Sequence, residues 1–391
     1  MRSGEFVKQV GGYQAFVPKP LPPKPPIQMD PELASLLSEA DRALGRLDGV
    51  SSILPNPDFF VAMYVRHEAV LSSQIEGTQS TLQDVLEFEI DSKGEDRPKD
   101  VEEVVNYVGA MNHGLQRLNE FPLSLRLIRE IHGKLLQGVR GSNREPGGFR
   151  KRQNWLGPDK CPIEQATFVP PPPGEMETAL NDFEKFLHFE EPLPVLVHCG
   201  LCHAQFETIH PFLDGNGRVG RLLITFLLCQ KGILHRPLLY LSHYLKRHRA
   251  QYYDRLMAIR TEGDWEGWMK FFLRGVAEVS HAATATAREI LKLREKSREM
   301  SLASPGGANY GQRLVDFLLE RPIVNVRMVE QGLQCSFAKA NGMVKSFVAL
   351  GLLEEMTGWQ RNRRYRFKPY LALFDAAPDA KTAPADSPGQ H

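Results

Sequence analysis

Residues 210–221 read HPFLDGNGRVGR, and the flanking sequence leaves little freedom in how they are held. On the N-terminal side, residues 195–209 (VLVHCGLCHAQFETI) place Val195, Leu196, Cys199, Cys202, Phe206 and Ile209 at helical rather than alternating spacing. On the C-terminal side, residues 222–229 (LLITFLLC) are apolar nearly all round and are followed by Gly232, suited to the left-handed close of a helix. A helix apolar on every side must be central. The segment is therefore a tight junction between two buried helices.

The junction is built for phosphate. Gly215, Asn216 and Gly217 can take backbone angles closed to most residues, so successive amides can converge into an anion-binding nest where the second helix starts. The helix N-terminus adds partial positive charge, and Arg218 and Arg221, one turn apart, can fork phosphate oxygens. Asp214 supplies the oxygen ligand that Mg2+ takes beside phosphates, because that ion keeps its waters and needs only one or two carboxylates. His210 alone in the segment can take and release a proton near neutral pH, the property of a general base. The chemistry that follows is attack by a hydroxyl on a metal-bound phosphoryl group, stabilised by the nest, the metal and the arginines. No GxxxxGK[ST] occurs, which excludes a Walker loop.

The segment resembles the signature HxFx[DE]GNGRxxR of the Fic-domain family, met at His210, Phe212, Asp214, Gly215, Asn216, Gly217, Arg218 and Arg221. The resemblance implies a mainly α fold: a Fic-type helical core with a small β-hairpin flap. It implies transfer of AMP from ATP to a Ser, Thr or Tyr hydroxyl of a protein, the chain itself included. His210 would deprotonate that hydroxyl and Asp214 would hold Mg2+. Gly215, Asn216, Gly217, Arg218, Val219, Gly220 and Arg221 would seat the nucleotide, with Arg221 on the γ-phosphate. Glu207 is near by sequence, and Tyr252 and Tyr253 correspond to positions lining the family's adenine pocket, although tyrosines also pack in cores.

Residues 59–75 (FFVAMYVRHEAVLSSQI) read as a helix stopped by Gly77, with Ser72 and Glu76 on one face. A carboxylate at a helix C-terminus opposes the dipole, so Glu76 is either used for something else or simply solvated. SSQIEG resembles the inhibitory motif [ST]xxxE[GN] of autoinhibited Fic proteins at Ser72, Glu76 and Gly77. That resemblance implies that Glu76 pairs with Arg221 and fills the γ-phosphate's space.

Lys+Arg 48 against Asp+Glu 47 implies no general polyanion partner, and 42% hydrophobic residues over 391 suffice for two or three domains. No apolar run approaches a membrane span, and MRSGEFVKQVGG is not a signal peptide, which together suggest a cytoplasmic protein without membrane association. The five cysteines are odd in number and form no disulfide framework. CGLCH at 199–203 has the form of a c-type haem attachment pattern, but both thiols lie in an apolar helix and read as core.

Residues 1–100 are expected to hold an N-terminal arm and the inhibitory helix. Within the arm, residues 18–26 (PKPLPPKPP) make a strap that is either loose or lashed over the surface. A helix should start after the N-cap Asp30, and residues 79–100 look like a polar loop. Residues 101–300 would form the Fic core, with helices over 101–118, 123–139, 236–260 and 265–296. Within it 147–173 reads as a hairpin that resembles the Fic flap, or else a surface hairpin anchored by Trp155; as a flap it would bring Asn154, Trp155 and Leu156 near the nucleotide. Residues 301–308 would be a linker and 376–391 a disordered tail. Between them 309–375, with helical patterns at 311–319, 326–332 and 337–350 and arginines at 361, 363, 364 and 366, resembles a winged helix that could contact DNA or form a homodimer. Other readings of the chain are removal of AMP from a target, or a nucleotide-sensing DNA-binding regulator.

Overall fold

A computed structural model describes residues 1–52, 57–90, 98, 100–158, 160–190, 192–302, 307–358 and 361–375. The chain forms two compact units, one of Met1–Gly49 with Met63–His281 and one of Val50–Ala62 with Ala282–His391.

The first unit opens on an antiparallel hairpin, β1 (Gly4–Lys8) and β2 (Gln14–Pro18), in register from Gly4↔Pro18 to Lys8↔Gln14. Helix α1 (Pro31–Ser52) follows, capped as expected: Asp30 Oδ1 accepts from Leu33 N at 2.8 Å. Next come α2 (Pro57–Ile75), α3 (Leu82–Ile90), α4 (Val101–Leu118), α5 (Leu125–Leu135), α6 (Pro173–Leu187), α7 (Val195–Ile209), α8 (Asn216–Gln230), α9 (Ser242–Arg247), α10 (Arg249–Glu262) and α11 (Trp265–Ser301). α11 passes out of this unit at Ala282.

α7 and α8 are the centre. Residues 196–209 and 218–228 are buried without a break, and α4, α5, α6 and α10 pack around the pair. Close approach is what the small residues allow. A Cβ on Gly114 of α4 would run into the Phe226 ring of α8, and Trp268 Nε1 reaches the Gly200 carbonyl of α7 at 2.9 Å.

Several expectations are corrected. Residues 79–100 are not simply a loop: Leu82, Val85 and Leu86 form the buried side of α3, and Thr81 and Asp84 cap it reciprocally. Residues 91–97 and 99 lie outside the described residues. The arm carries a hairpin before its prolines, and Gln205 Nε2 holds the Lys19 carbonyl at 2.9 Å, so this part of the strap is lashed down. The helix expected over 123–139 stops at Leu135, with Gly138 at φ +71°, and the 236–260 stretch is two helices meeting at His248. The hairpin over 147–173 reduces to one antiparallel bridge, Leu156↔Phe168, with a 3-10 turn Ile163–Gln165 between.

In the second unit α12 (Gly307–Glu320), α13 (Val326–Leu333) and α14 (Phe337–Ala349) stand where the periodicity puts them. Asn325 and Ser336 cap the latter two, accepting from Met328 N at 2.9 Å and Lys339 N at 3.3 Å. Strands β3 (Ile323–Val324), β4 (Leu353–Glu355) and β5 (Tyr365–Phe367) form an antiparallel sheet in the order β3-β5-β4, followed by α15 (Lys368–Asp375). Half of the expected linker, residues 303–306, and the tail 376–391 lie outside the described residues, while Ser301 closes α11 and Gly307 opens α12. Among the described residues no helix is long and apolar enough to cross a membrane.

Candidate functional site

α7 ends on His210, whose backbone is left-handed at φ +50°, ψ +59°. A non-glycine residue there turns the chain sharply out of the helix and is held by its surroundings. His210 N donates to the Phe206 carbonyl at 2.9 Å, and the His210 carbonyl accepts from Arg150 Nε at 3.0 Å. Arg150, almost fully buried, also donates to Pro171 O at 2.5 Å and Ile209 O at 3.4 Å. It thus satisfies carbonyls that the end of α7 leaves open. The His210 ring is neutral: burial, then Arg260 and Arg150, pull its pKa down to about 3, and Nδ1 has no hydrogen-bond partner among the described residues.

The turn is pinned by Asn216. Its Oδ1 accepts from Phe212 N and its Nδ2 donates to Phe212 O, both at 2.8 Å, so this side chain locks the loop rather than reaching outward. Gly215 is the left-handed N-cap of α8 at φ +77°, whereas Asn216 and Gly217 are helical. Gly217 is needed for a different reason from the one the sequence suggests: a Cβ there would collide with Glu76 Oε1 and lie 2.9 Å from Arg221 Nη1. Gly220 is needed likewise, because a Cβ would strike Glu207 Oε1.

His132, on α5, supports the turn from behind. Gly147 N donates to its Nδ1 at 2.8 Å, so Nε2 carries the proton and donates to the Asp214 carbonyl at 2.9 Å, and the ring stacks on Phe212 at 3.7 Å. The Asp214 carboxylate is 36% exposed, with Oδ1 3.4 Å from Arg218 Nη2. Arg218 is buried and its closer partner is Glu103 of α4, at 3.1 Å; Glu103 also takes Arg140 at 3.3 Å.

Arg221 is 2% exposed and held by Ser72 at the end of α2 and by Glu76 just beyond it. Its Nε donates to Ser72 Oγ at 2.8 Å, and Nη2 donates to Ser72 O at 3.0 Å and to Glu76 Oε1 at 2.7 Å. Burial pushes the Glu76 carboxyl up, but the Arg221 guanidinium beside it more than offsets this and holds its pKa below the usual carboxylate range. Ser72 and Glu76 do share a face, and Gly77 turns the chain away at φ +98°. One turn earlier on that face, Glu68 is buried against Ser242 and Tyr107, and burial raises its pKa to about 7.

The family profile described as Fic/DOC family N-terminal matches residues 34–116, and the profile described as Fic/DOC family matches 122–228, the segment that contains the whole turn. Residues 34–116 thus carry a Fic/DOC N-terminal segment and residues 122–228 a Fic/DOC domain. A protein adenylyltransferase Fic from Aedes aegypti is 30% identical over 247 residues, covering 58% of this chain and 45% of the relative. One from Culex quinquefasciatus is 29% identical over 265 residues, covering 63% and 49%. The chain thus spans about half the length of these relatives. A crystal structure of a Fic family protein from Desulfovibrio desulfuricans G20 matches in fold, with TM-score 0.57 and 20% identity over 88% of this chain and 97% of that one.

Around the Fic turn, Val219 and Gly220 are buried in the first turns of α8. Glu207 faces Gly220 with Oε1 unpartnered among the described residues, and burial raises its pKa to about 7 against the pull of Arg221. Tyr252 is buried: His203 Nδ1 donates to the Gly220 carbonyl at 2.8 Å, so Nε2 accepts from the Tyr252 hydroxyl at 2.8 Å. Tyr253 is 39% exposed under Arg249. Asn154 Nδ2 reaches Phe212 O at 2.9 Å, while Trp155 and Leu156 are exposed.

Glu103, His132 and Arg150 are the site residues that sequence reading does not single out. Glu103 sits 115 residues from Arg218 and His132 82 from Asp214, and nothing in their local patterns names the partner.

Proposed function

We propose that this chain transfers AMP from ATP to a hydroxyl of a protein and is held off by its own Glu76. The observation that carries the reading is the triple engagement of Arg221 by Ser72 and Glu76, over Gly217 in the first turn of α8. An inhibited phosphate seat needs an anion surrogate on the cation meant for phosphate, and a carboxylate is one.

In the productive state the turn's amides and the N-terminus of α8 receive phosphate oxygens, and Arg221, freed of Glu76, takes the γ-phosphate. His210, neutral across the physiological range, takes the proton of the attacking hydroxyl. The hydroxyl oxygen bonds to the α-phosphorus as the bond to the bridging oxygen breaks, and pyrophosphate leaves. Asp214 fits Mg2+: a partly exposed single carboxylate beside the turn suits an ion that completes its shell with phosphates and water. Bound there, the ion would neutralise phosphate charge. Among the described residues no group of three His, Cys, Asp or Glu forms a closed metal cage, as a resident structural metal would require.

For the second unit we propose a winged helix over 309–375, on the order helix, strand, two capped helices and hairpin. Arg366 pairs with Glu354 at 2.6 Å and Arg363 lies 3.9 Å from Glu355, so the wing's charge is partly neutralised, which favours contact with protein, a second copy included, over DNA. A cytoplasmic setting suits the five free thiols.

Incubation with ATP labelled at the α-phosphate, and separately at the γ-phosphate, tests the reading. The α-label is expected on protein, weakly for the native chain and strongly for Glu76→Gly. Transfer of the γ-label would make the chain a kinase, and no α-label on a folded Glu76→Gly variant would overturn the proposal.

A further inference from the structure

Among the described residues, the segment flanking the site, 153–158 with 160–170, has little regular structure of its own beside the side-chain bonds of Gln153 Nε2 to Pro170 O at 2.8 Å and Trp155 Nε1 to Cys161 O at 2.9 Å. Its own ladder is one bridge, with Leu156 N donating to Phe168 O at 2.8 Å and Phe168 N to Leu156 O at 3.1 Å. Such a hairpin is marginal in water by itself. Yet it touches the catalytic turn, through Asn154 on Phe212 O, and Trp155 and Leu156 lie open at its edge.

The missing support comes from the other end of the chain. Phe16 N, on β2, donates to Val169 O at 2.9 Å, so β1, β2, residues 168–169 and Leu156 follow one another through backbone bonds. Phe16 is fully buried, 6.4 Å from the Phe168 ring, and Arg260 lies over Phe168 at 3.7 Å. Arg260 also binds Glu207 O and Thr208 Oγ1, each at 3.2 Å, within one turn of His210. The hairpin is anchored to the helical core independently of the segment: Arg2 donates to Gly263 O at 2.9 Å and pairs with Glu266, and Gln205 of α7 holds the Lys19 carbonyl.

We propose that the N-terminal hairpin is a positioning element for segment 153–170, acting through Phe16, and that it sets the edge against which a protein target's backbone is laid. This deepens the adenylyl-transfer reading and rests on it. In an antiparallel strand the residues either side of a bonded one turn their backbone groups to the opposite edge, so Trp155 and Gly157 would present theirs outward while Leu156 faces Phe168. A target strand added there receives its register from Leu156, which receives its own from the hairpin.

Hydrogen exchange on the full chain tests the brace without any transfer. Phe16→Ala is expected to speed exchange of the Leu156 and Phe168 amides about tenfold and leave the α8 amides unchanged, with Phe16→Leu restoring most of the protection. Arg2→Ala, which frees the hairpin's far end without opening the core, should move the same amides about threefold. In a Glu76→Gly background, Phe16→Ala should lower α-label incorporation into the chain about tenfold while ATP affinity by calorimetry stays within about twofold. Unchanged exchange at Leu156 and Phe168 would overturn the brace. Faster exchange with undiminished labelling, or loss of ATP affinity alongside, would overturn its role toward the target. Absence of label in Glu76→Gly alone would instead count against the transfer reading, and the exchange result would still decide the brace.

Discussion

Replacing Glu76 by glycine removes one partner of Arg221 and leaves two. The Arg221 to Glu76 bond is 2.7 Å, and the charge centres are then about 4 Å apart, worth about 4 kcal/mol at an effective dielectric of about 20. The Glu76 side chain is 33% exposed, so water screens part of this. A charge-assisted hydrogen bond nets about 1.5–3 kcal/mol, and we take about 2–3 for this one. Because Nε and Nη2 keep Ser72 Oγ and Ser72 O, the guanidinium should stay in place rather than collapse elsewhere. The whole gain therefore goes to a γ-phosphate competing for Arg221. At about 1.4 kcal/mol per decade this is roughly a 30- to 150-fold rise in productive binding, read as α-label incorporation per minute at subsaturating ATP. A variant that melts like the native chain and labels no faster would refute the inhibitory pairing.

His210→Ala should keep ATP affinity within about threefold, because the nest belongs to α8, and lose label transfer by at least about 100-fold; persistent transfer would remove the general base. Glu103→Ala should destabilise the fold by about 2–4 kcal/mol in denaturant unfolding, since among the described residues it leaves the buried Arg218 with only the 3.4 Å ion pair to Asp214; a change below about 0.5 kcal/mol would show that Glu103 is replaceable. Burial raises the folded-state pKa of Glu68 from 4.5 to about 7, so its contribution is fully present below pH 4.5 and is lost as pH rises toward 7. Glu68→Gln should accordingly gain on the native chain by about 3 kcal/mol between pH 4.5 and 7.5, and a pH-independent difference would contradict the shift.

Much of the core is legible in sequence because its cues are local. Full apolarity fixes α7 and α8 at the centre, caps at Asp30 and Asn325 fix helix starts, and Ser72, Glu76 and Gly77 mark the segment that meets Arg221. The N-terminal hairpin has a local cue too, the Gly11–Gly12 turn, which the adjoining prolines obscure. α3 announces itself through Thr81, Leu82, Asp84 and Val85 but is short and lies in acidic surroundings. What stays out of reach is choice of partner. The carbonyls at the end of α7 could be satisfied by many donors, and Arg150 is chosen by a fold that brings residues 60 positions apart together. The conformational role expected for Gly217 proves instead to be one of space, because Glu76 stands over it.

The pairing of Glu76 with Arg221 is tested most directly by comparing the affinities of ATP and ADP, by calorimetry, in the native chain and in Glu76→Gly. With Arg221 occupied the γ-phosphate has no partner, so the native chain should bind ATP no tighter than ADP. The variant should bind ATP at least about tenfold tighter than ADP. Equal preference for ATP in both proteins would mean that Glu76 does not stand in the γ-phosphate's place.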